Sequence, residues 1–167
     1  MIVLLRVATV AAVAGAVWVV GAGQVHMDTR LPLAGVVVGA AVSQPFGCTA
    51  LALEPFDPFC PGRHIHTGID LSAPTGTEVH SATDGIAHIG LDPKGAGLFV
   101  VVALDAHVRL FYCHLSAFRV GDGEAVSAGQ LVGLVGATGM ATGPHVHFEI
   151  QVDGTSVDPG KWLDSSP

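Results

Sequence analysis

Clustered positive charge is missing from this sequence of 167 residues, which contains only seven Lys and Arg residues and no run of either. Binding to nucleic-acid phosphates depends on such clusters, so a nucleic-acid partner is not expected. Charged residues make up only 13% of the chain while 50% is hydrophobic, which excludes a disordered, solvated protein. Length and composition instead predict one domain that is large enough to bury its own core.

Beyond residue 24 the sequence also lacks any long stretch with a helical period of 3.6 residues. Gly and Pro residues are spread along the chain at positions typical of tight turns. The polar segment 63–76 contains several of them and predicts an ordered loop. We therefore predict a mostly β fold with antiparallel sheets, as a single compact domain with a loop-built site. Strands are predicted at 35–46, 86–91, 98–104, 107–113 and 145–152, with very short ones within 120–136.

The N-terminus carries an uncharged apolar run at residues 7–23, with Arg6 as the only charged side chain before it. The run predicts an apolar helix whose length lies between a signal-peptide core and a membrane-spanning helix of about 20 residues. Residues 1–23 are therefore interpreted as a signal peptide or a membrane anchor, with a buried helix of a cytosolic protein as the alternative. Either favoured interpretation places the linker 24–34 and the domain 35–164 outside the cytoplasm, either secreted or anchored to the cell membrane.

The three cysteines fit an oxidising compartment. Cys48 and Cys60 flank a Pro-rich, aromatic loop, and a disulfide between them would staple that loop in an exported protein. Two separate buried thiols are the alternative. Cys113 remains without a partner, and its position in a predicted strand indicates a core residue rather than a metal ligand.

Two histidines lie two residues apart in the last predicted strand. The side chains of His145 and His147 project from one face of that strand, about 7 Å apart, and can serve one zinc centre as base and ligand. Glu149 continues this face and can accept an imidazole N–H, which fixes the tautomer of a ligating histidine. A His-x-His pair alone is equally compatible with a solvated face.

His66 and Asp70 form a second candidate pair. We expect Gly68 between them to let the backbone bend, so that imidazole and carboxylate converge on one ion. Two His and one carboxylate with an open fourth position form a ligand set of catalytic zinc. His64 is interpreted as a loop histidine near the site, and His114, at a strand end, is by itself typical of a hydrogen-bonded surface residue. We assign no function to the remaining histidines, which are His26, His80, His88 and His107.

These motifs resemble those of the lysostaphin-type (LytM-like) peptidoglycan endopeptidases. In chain order they are His66-x-Gly-x-Asp70, Tyr112-x-His114-Leu-Ser and Gly-Pro-His145-Val-His147-Phe-Glu-Ile. Further similarity at residues 45–47, 73–85, 120–139 and 157–159 extends the resemblance over roughly residues 35–164.

The resemblance implies a zinc metalloendopeptidase that hydrolyses peptide bonds in bacterial cell-wall peptidoglycan. One Zn²⁺ per domain would be held by His66, Asp70 and His147. His145 would take a proton from water and pass it to the leaving amine, while His114 would orient and stabilise the reacting groups. The family often adds a Tyr from an earlier loop, whereas the only Tyr of this chain, at position 112, is expected to point elsewhere.

Two other interpretations of the sequence compete with a peptidoglycan endopeptidase. A non-catalytic relative that binds peptidoglycan or regulates other hydrolases is the main alternative, although such relatives have usually lost ligands that this sequence retains. The Gly-rich run at 123–133 also resembles lipoyl or biotinyl carrier domains, but these need a Lys that neither Lys94 nor Lys161 supplies within that run. The bond that is cleaved stays open among a glycine cross-bridge, a D-Ala to diaminopimelate cross-link and a stem-peptide bond.

Overall fold

The computed structural model describes residues 30–165. The helices of this part are α1 (Leu33–Val36) and α2 (Pro159–Asp164). Its strands are β1 (Ala41–Gln44), β2 (Gly47–Thr49), β3 (His64–His66), β4 (Ile69–Ser72), β5 (Glu78–His80), β6 (Gly85–Asp92), β7 (Gly97–Ala103), β8 (Val108–Leu115), β9 (Ala117–Phe118), β10 (Glu124–Val126), β11 (Leu131–Leu134), β12 (His145–Val152) and β13 (Thr155–Val157). Within residues 30–165, no helix is long and apolar enough to cross a membrane. The apolar helix predicted for residues 1–23 lies outside the described residues.

One large sheet organises the domain. Its strand order is β1-β4-β12-β8-β7-β6-β10, and β13 pairs with β12. A smaller sheet has the order β5-β11-β9, and β2 pairs with β3. All of these pairings are antiparallel. The predicted mostly β, antiparallel fold is therefore confirmed, and β6, β7, β8 and β12 begin and end within two residues of their predicted bounds.

The hydrophobic core lies on one face of the large sheet. Strand β12 shows why, because its side chains alternate between the two faces. Val146, Phe148 and Ile150 are fully buried, and the Phe148 ring packs 5.1 Å from that of Tyr112. Full burial of such an aromatic side chain stabilises the fold by about 3 kcal/mol. The alternating polar residues of β12 are thereby left on the opposite face.

The strand predicted over residues 35–46 is wrong in its first part. Residues 33–36 form α1 instead, and only residues 41–44 form a strand. The physical reason is that Val36 and Val37 are consecutive and both buried, whereas neighbours in a strand face opposite sides. Gly39, with a φ of 78°, then turns the chain into β1.

The loop predicted at 63–76 is also wrong, because this segment contains β3 and β4. Ile69 and Leu71 are buried on either side of Asp70, which is the alternation of a half-buried strand. The Gly and Pro residues of the segment flank the two strands instead of interrupting them. The candidate ligands therefore lie on strands and not on loops, contrary to the expected loop-built site.

The loop between β2 and β3 is closed by a disulfide between Cys48 and Cys60, as predicted. In the β2–β3 pair, Cys48 lies opposite Ile65, and the neighbouring Gly47 lies opposite His66. The disulfide therefore supports the strand pair that ends at a candidate metal ligand.

Removing this disulfide should destabilise the domain. Closing a loop of sequence separation 12 restricts the unfolded chain, so Cys48→Ser/Cys60→Ser should lower the free energy of unfolding by about 3 kcal/mol. Urea unfolding with and without dithiothreitol measures this difference. Dithiothreitol should lower the stability of the wild type and leave that of the double variant unchanged. Equal midpoints for the oxidised wild type and the variant would contradict the prediction.

Candidate metal centre

Strand register brings Asp70 and His147 together. They lie directly opposite each other on β4 and β12, and cross-strand neighbours in an antiparallel pair share one face of the sheet. The Asp70 Oδ1 atom is 3.1 Å from His147 Nδ1. This contact lies on the face opposite the hydrophobic core.

His66 completes a triangle of ligand atoms. It is the last residue of β3, and residues 67–68 connect it to β4. Its Nε2 atom lies 3.1 Å from Asp70 Oδ1 and 3.0 Å from His147 Nδ1. The three atoms are thus mutually separated by similar short distances, with the His66 side chain almost fully buried.

The outer nitrogen of each histidine fixes its tautomer. His66 Nδ1 lies 2.9 Å from the Pro45 carbonyl oxygen, which can only accept, so Nδ1 carries the hydrogen. His147 Nε2 lies 3.5 Å from Glu149 Oε2, again an acceptor. In their neutral forms, the rings of His66 and His147 each direct a nitrogen lone pair at the other ring and at the Asp70 carboxylate. Three converging acceptors of this kind require a cation between them.

The size of the triangle suits a first-row metal ion. Ligand atoms at zinc bonding distances in a tetrahedral site are separated by about 3.3 Å. The separations of 3.0–3.1 Å between His66, Asp70 and His147 reach this value by an expansion of a few tenths of an ångström. Two imidazole nitrogens and one carboxylate oxygen also form a donor set that zinc prefers. The residues present fit a zinc ion.

The electrostatics favour positive charge at the same point. Burial alone raises the pKa of the Asp70 carboxyl, but hydrogen bonds from His147 and His66 outweigh it and hold this pKa well below its ordinary value. Burial lowers the pKa of His147, but Asp70 and Glu149 outweigh burial and raise it to about 9. The pocket around His147 therefore stabilises a cation.

Glu149 is held by a network that the sequence analysis did not find. Its carboxylate accepts hydrogen bonds from Gln151 Nε2 at 2.7 Å, Ser156 Oγ at 2.7 Å and Thr67 Oγ1 at 3.0 Å. Burial raises its pKa, but His147 and these three donors outweigh burial and lower the pKa to about 2. Gln151 was recognisable from its alternate position on β12, whereas the other two donors come from distant segments.

His145 and His114 lie beside the triangle. His145 Nε2 is 3.7 Å from Asp70 Oδ1, and the rings of His145 and His114 are 4.8 Å apart. Each donates its Nδ1–H to a backbone carbonyl at 2.8 Å, that of Gly143 for His145 and that of Thr138 for His114. In the neutral ring this leaves the Nε2 atom of each histidine as a proton acceptor.

A bulge in the β7–β8 pair aims His114 at the site. The register shifts between Leu98 and Val100, and His114 adopts a φ of 63°, which is rare for residues other than Gly. Its backbone N–H donates to the Ala96 carbonyl at 2.7 Å. The location of His114 at a strand end is typical of a surface residue, but its side chain is buried. Burial lowers the pKa of its imidazole, although the hydrogen bond to the Thr138 carbonyl acts in the opposite direction.

The other candidate residues lie outside the triangle. His64 donates its Nδ1–H to the Glu54 carbonyl, 2.7 Å away, and its ring packs against Phe56. The Tyr112 hydroxyl accepts from the Ala82 N–H in the core, so this ring does point away from the site, as predicted. Lys94 lies in the turn between β6 and β7, outside the Gly-rich run.

Cys113 is buried, as predicted, but it does not belong to the main core. It lies opposite His147 in the β8–β12 register and therefore on the face of the candidate ligands. Burial and the nearby Glu149 and Asp70 carboxylates raise the pKa of its thiol to about 12. The thiol therefore stays protonated beneath the site.

Gly68 serves a different purpose from the one predicted. Its φ is not among the positive values, so the backbone does not require glycine for a bend. A Cβ atom at this position would instead lie 2.5 Å from the Phe148 carbonyl oxygen and 2.8 Å from His147 Nε2. The absent side chain makes room for the His147 ring.

Known proteins resemble this chain in sequence and in fold. The sequence profile of Peptidase family M23 matches residues 64–159, more than half of the chain. The peptidoglycan DD-endopeptidase ShyA of Vibrio cholerae is 40% identical over 96 residues, which are 58% of this chain and 22% of that relative. The chain spans about a quarter of the length of the curated relatives that it matches.

Two solved structures share the fold. A zinc containing peptidase from Vibrio cholerae has a TM-score of 0.66 at 28% identity, over 84% of this chain and 41% of that one. The catalytic domain of the antimicrobial peptidase lysostaphin from Staphylococcus simulans has a TM-score of 0.62 at 30% identity, over 75% of this chain and 93% of that one.

Gly68→Ala should impair metal binding while the fold persists. The new methyl group clashes with the Phe148 carbonyl oxygen and with the His147 ring, so β12 must shift locally. Zinc affinity should therefore fall about 10- to 100-fold, as when other supports of metal ligands are lost. Competition with a fluorescent chelator measures the affinity, and circular dichroism monitors the fold. Gly121→Ala is the matched control, because its Cβ would have no neighbour closer than 3.8 Å. Equal zinc affinities for both variants would contradict the steric role of Gly68.

Proposed function

Because this chain belongs to Peptidase family M23, we propose that it is a zinc-dependent endopeptidase that hydrolyses peptide bonds in bacterial cell-wall peptidoglycan. The family assignment confirms the predicted resemblance to lysostaphin-type peptidases. The names of the relatives support the substrate, since ShyA is described as a peptidoglycan endopeptidase. A wall peptide is therefore the substrate class that we propose.

The single observation that carries the proposal is the acceptor triangle with His145 and His114 beside it. His66 Nε2, Asp70 Oδ1 and His147 Nδ1 converge within 3.0–3.1 Å of one another. We propose that these atoms hold one Zn²⁺, consistent with the zinc containing peptidase that shares this fold. When bound, zinc acts as a Lewis acid that polarises a carbonyl group and makes water more acidic.

In the proposed mechanism, His145 moves the proton. Its Nδ1–H is fixed on the Gly143 carbonyl, so its Nε2 atom, on the same side as Asp70, is free to accept a proton from water. The same nitrogen can then donate this proton to the amine that leaves when the peptide bond breaks. His145 thus acts as general base and then as general acid.

His114 has a positioning role in this scheme. Its ring lies against His145 and is held by the Thr138 carbonyl, and the Nε2 atom of its neutral form is a further acceptor at the site. An acceptor there can orient water through a hydrogen bond. The Tyr112 hydroxyl is hydrogen-bonded in the core, so no tyrosine among the described residues can help to orient this water.

We also propose that the domain at residues 35–164 acts outside the cytoplasm, with 24–34 as its linker and residues 1–23 as signal peptide or membrane anchor. The disulfide between Cys48 and Cys60 supports an oxidising compartment. The peptidoglycan named for the relatives supports the same location, because the wall lies outside the cell membrane.

The experiment that tests the function is digestion of purified sacculi by the zinc-loaded full-length chain, followed by mass spectrometry of the released muropeptides. Sacculi with glycine cross-bridges and sacculi with direct D-Ala to diaminopimelate cross-links serve as parallel substrates, so that the cleaved bond is identified. Chelation should stop the release and added zinc should restore it. A zinc-loaded chain that releases no peptide from either substrate would refute the endopeptidase activity and favour the non-catalytic alternative.

Truncating His145 and His147 should have different consequences. His147→Ala removes one of three ligands, so both zinc content and activity should collapse. His145→Ala removes the proton acceptor only, so zinc should stay while the rate falls by about 10²–10⁴-fold. Zinc content and muropeptide release are measured on the same preparations. Loss of zinc in His145→Ala with retention in His147→Ala would show that the two roles are exchanged.

Glu149→Gln should weaken zinc binding without removing a ligand. The substitution removes the negative charge that orients and polarises His147, and losses of this kind typically cost about 10- to 100-fold in metal affinity. Chelator competition provides the measurement. Glu124→Gln removes an equal charge at an exposed position away from the site and serves as control. Identical affinities in the two variants would contradict the role of Glu149.

A further inference from the structure

A polar pocket lies at the far end of the sheet face that carries the metal centre. Its volume is about 270 Å³, and it forms where the β7–β8 turn meets the β12–β13 turn. The backbone N–H of Asp153 donates to the His107 carbonyl at 2.8 Å, which joins the two turns. The residues that line the pocket, called here the Arg109 pocket, are Ala106, His107, Arg109, Gln151, Asp153 and Gly154.

The pocket and the metal centre share one face of the sheet. Gln151 lies opposite Arg109 in the β8–β12 register, just as His147 lies opposite Cys113. Alternate residues of β12 point to the same side, so His147, Glu149 and Gln151 form a continuous, half-buried strip between the two sites. Four residues of strand separate His147 from Gln151, which is about 13 Å.

Arg109 gives this pocket its charge. The other ionisable residues at its rim are paired with each other, because His107 Nδ1 lies 2.6 Å from Asp153 Oδ1. The pKa of His107 is raised by this hydrogen bond and charge. The Arg109 side chain is exposed and forms no hydrogen bond or ion pair with any other residue in the range 30–165. A free guanidinium of this kind binds carboxylates through two parallel N–H donors.

The pocket floor is connected to the metal centre. Gln151 donates to Glu149 Oε1 at 2.7 Å, and Glu149 Oε2 lies 3.5 Å from His147 Nε2. The spacing between the pocket and the candidate metal is therefore fixed by a rigid strand and by side-chain hydrogen bonds. An extended peptide on this face covers the same distance with about four residues.

We propose that the Arg109 pocket binds a carboxylate of the peptide substrate, about four residues from the bond that is cleaved, and that Arg109 selects substrates carrying it. This inference rests on the proposed peptidase function and names a specificity-determining residue for it. A carboxylate and the corresponding carboxamide are nearly equal in shape and differ in charge. Arg109 would distinguish these two forms.

The test uses two synthetic cross-linked peptides that differ only by a carboxylate or a carboxamide at that position. The zinc-loaded full-length chain should show a kcat/KM about tenfold higher for the carboxylate, as expected for one charge-assisted hydrogen-bonded contact. Arg109→Gln should bring the ratio of the two kcat/KM values close to one. Arg109→Lys should retain part of the preference, because lysine keeps the positive charge but lacks the two parallel N–H donors of the guanidinium. Arg119→Gln, an exposed arginine elsewhere, should keep the wild-type ratio.

Equal rates for the two peptides in the wild type, or a preference that survives in Arg109→Gln, would overturn the proposal. Hydrolysis of the carboxamide peptide would still support the peptidase function in that case, so the two failures are distinguishable. If neither peptide is hydrolysed, the binding of both to zinc-loaded His145→Ala is followed through the Arg109 side-chain N–H resonances. A shift with the carboxylate peptide alone supports the pocket. No shift, or equal shifts with inorganic phosphate and with both peptides, overturns it.

Discussion

The position of β12 between β4 and β8 is the constraint on which the rest of the structure depends. Its alternation buries Val146, Phe148 and Ile150 in the core and directs His147 and Glu149 to the other face. A register shift by one residue would exchange these faces, burying imidazoles and exposing a phenylalanine. The hydrophobic free energy of the core therefore also fixes the position of His147, one of the three candidate metal ligands, because this histidine and the buried residues belong to the same strand.

Of the other two candidate ligands, Asp70 is placed by strand pairing with β12. His66 is held by the Pro45 carbonyl and by the β2–β3 pair. The three acceptor atoms repel one another until a cation lies between them, so the fold keeps them together at an electrostatic cost. The disulfide loop beside β3 offsets part of this repulsion, because it restrains the strand that carries His66.

Much of this arrangement could be predicted from the sequence. Period-two alternation identified β12 and the shared face of His145 and His147, and motif order identified His66 and Asp70. The segment 63–76 was misjudged because Gly and Pro are common both in loops and at strand ends. The bulge that buries His114 and the donors that hold Glu149 come from contacts between distant segments, which local pattern does not encode. The role of Gly68 also depends on a ring from a strand about eighty residues away.

Strand β12 carries both the candidate ligand His147 and the wall of a polar pocket, and this combination has a further consequence. The distance from His147 to Gln151 is set by backbone geometry, which side-chain substitution barely changes. The turns that carry His107 and Asp153 are, in contrast, exposed and tolerant of substitution. Changes in those turns can therefore alter the Arg109 pocket while the candidate metal ligands keep their positions. Changes along β12 itself would affect the core, the candidate ligand His147 and the pocket at once. Under the proposed function, variation in substrate preference should therefore concentrate in the turns.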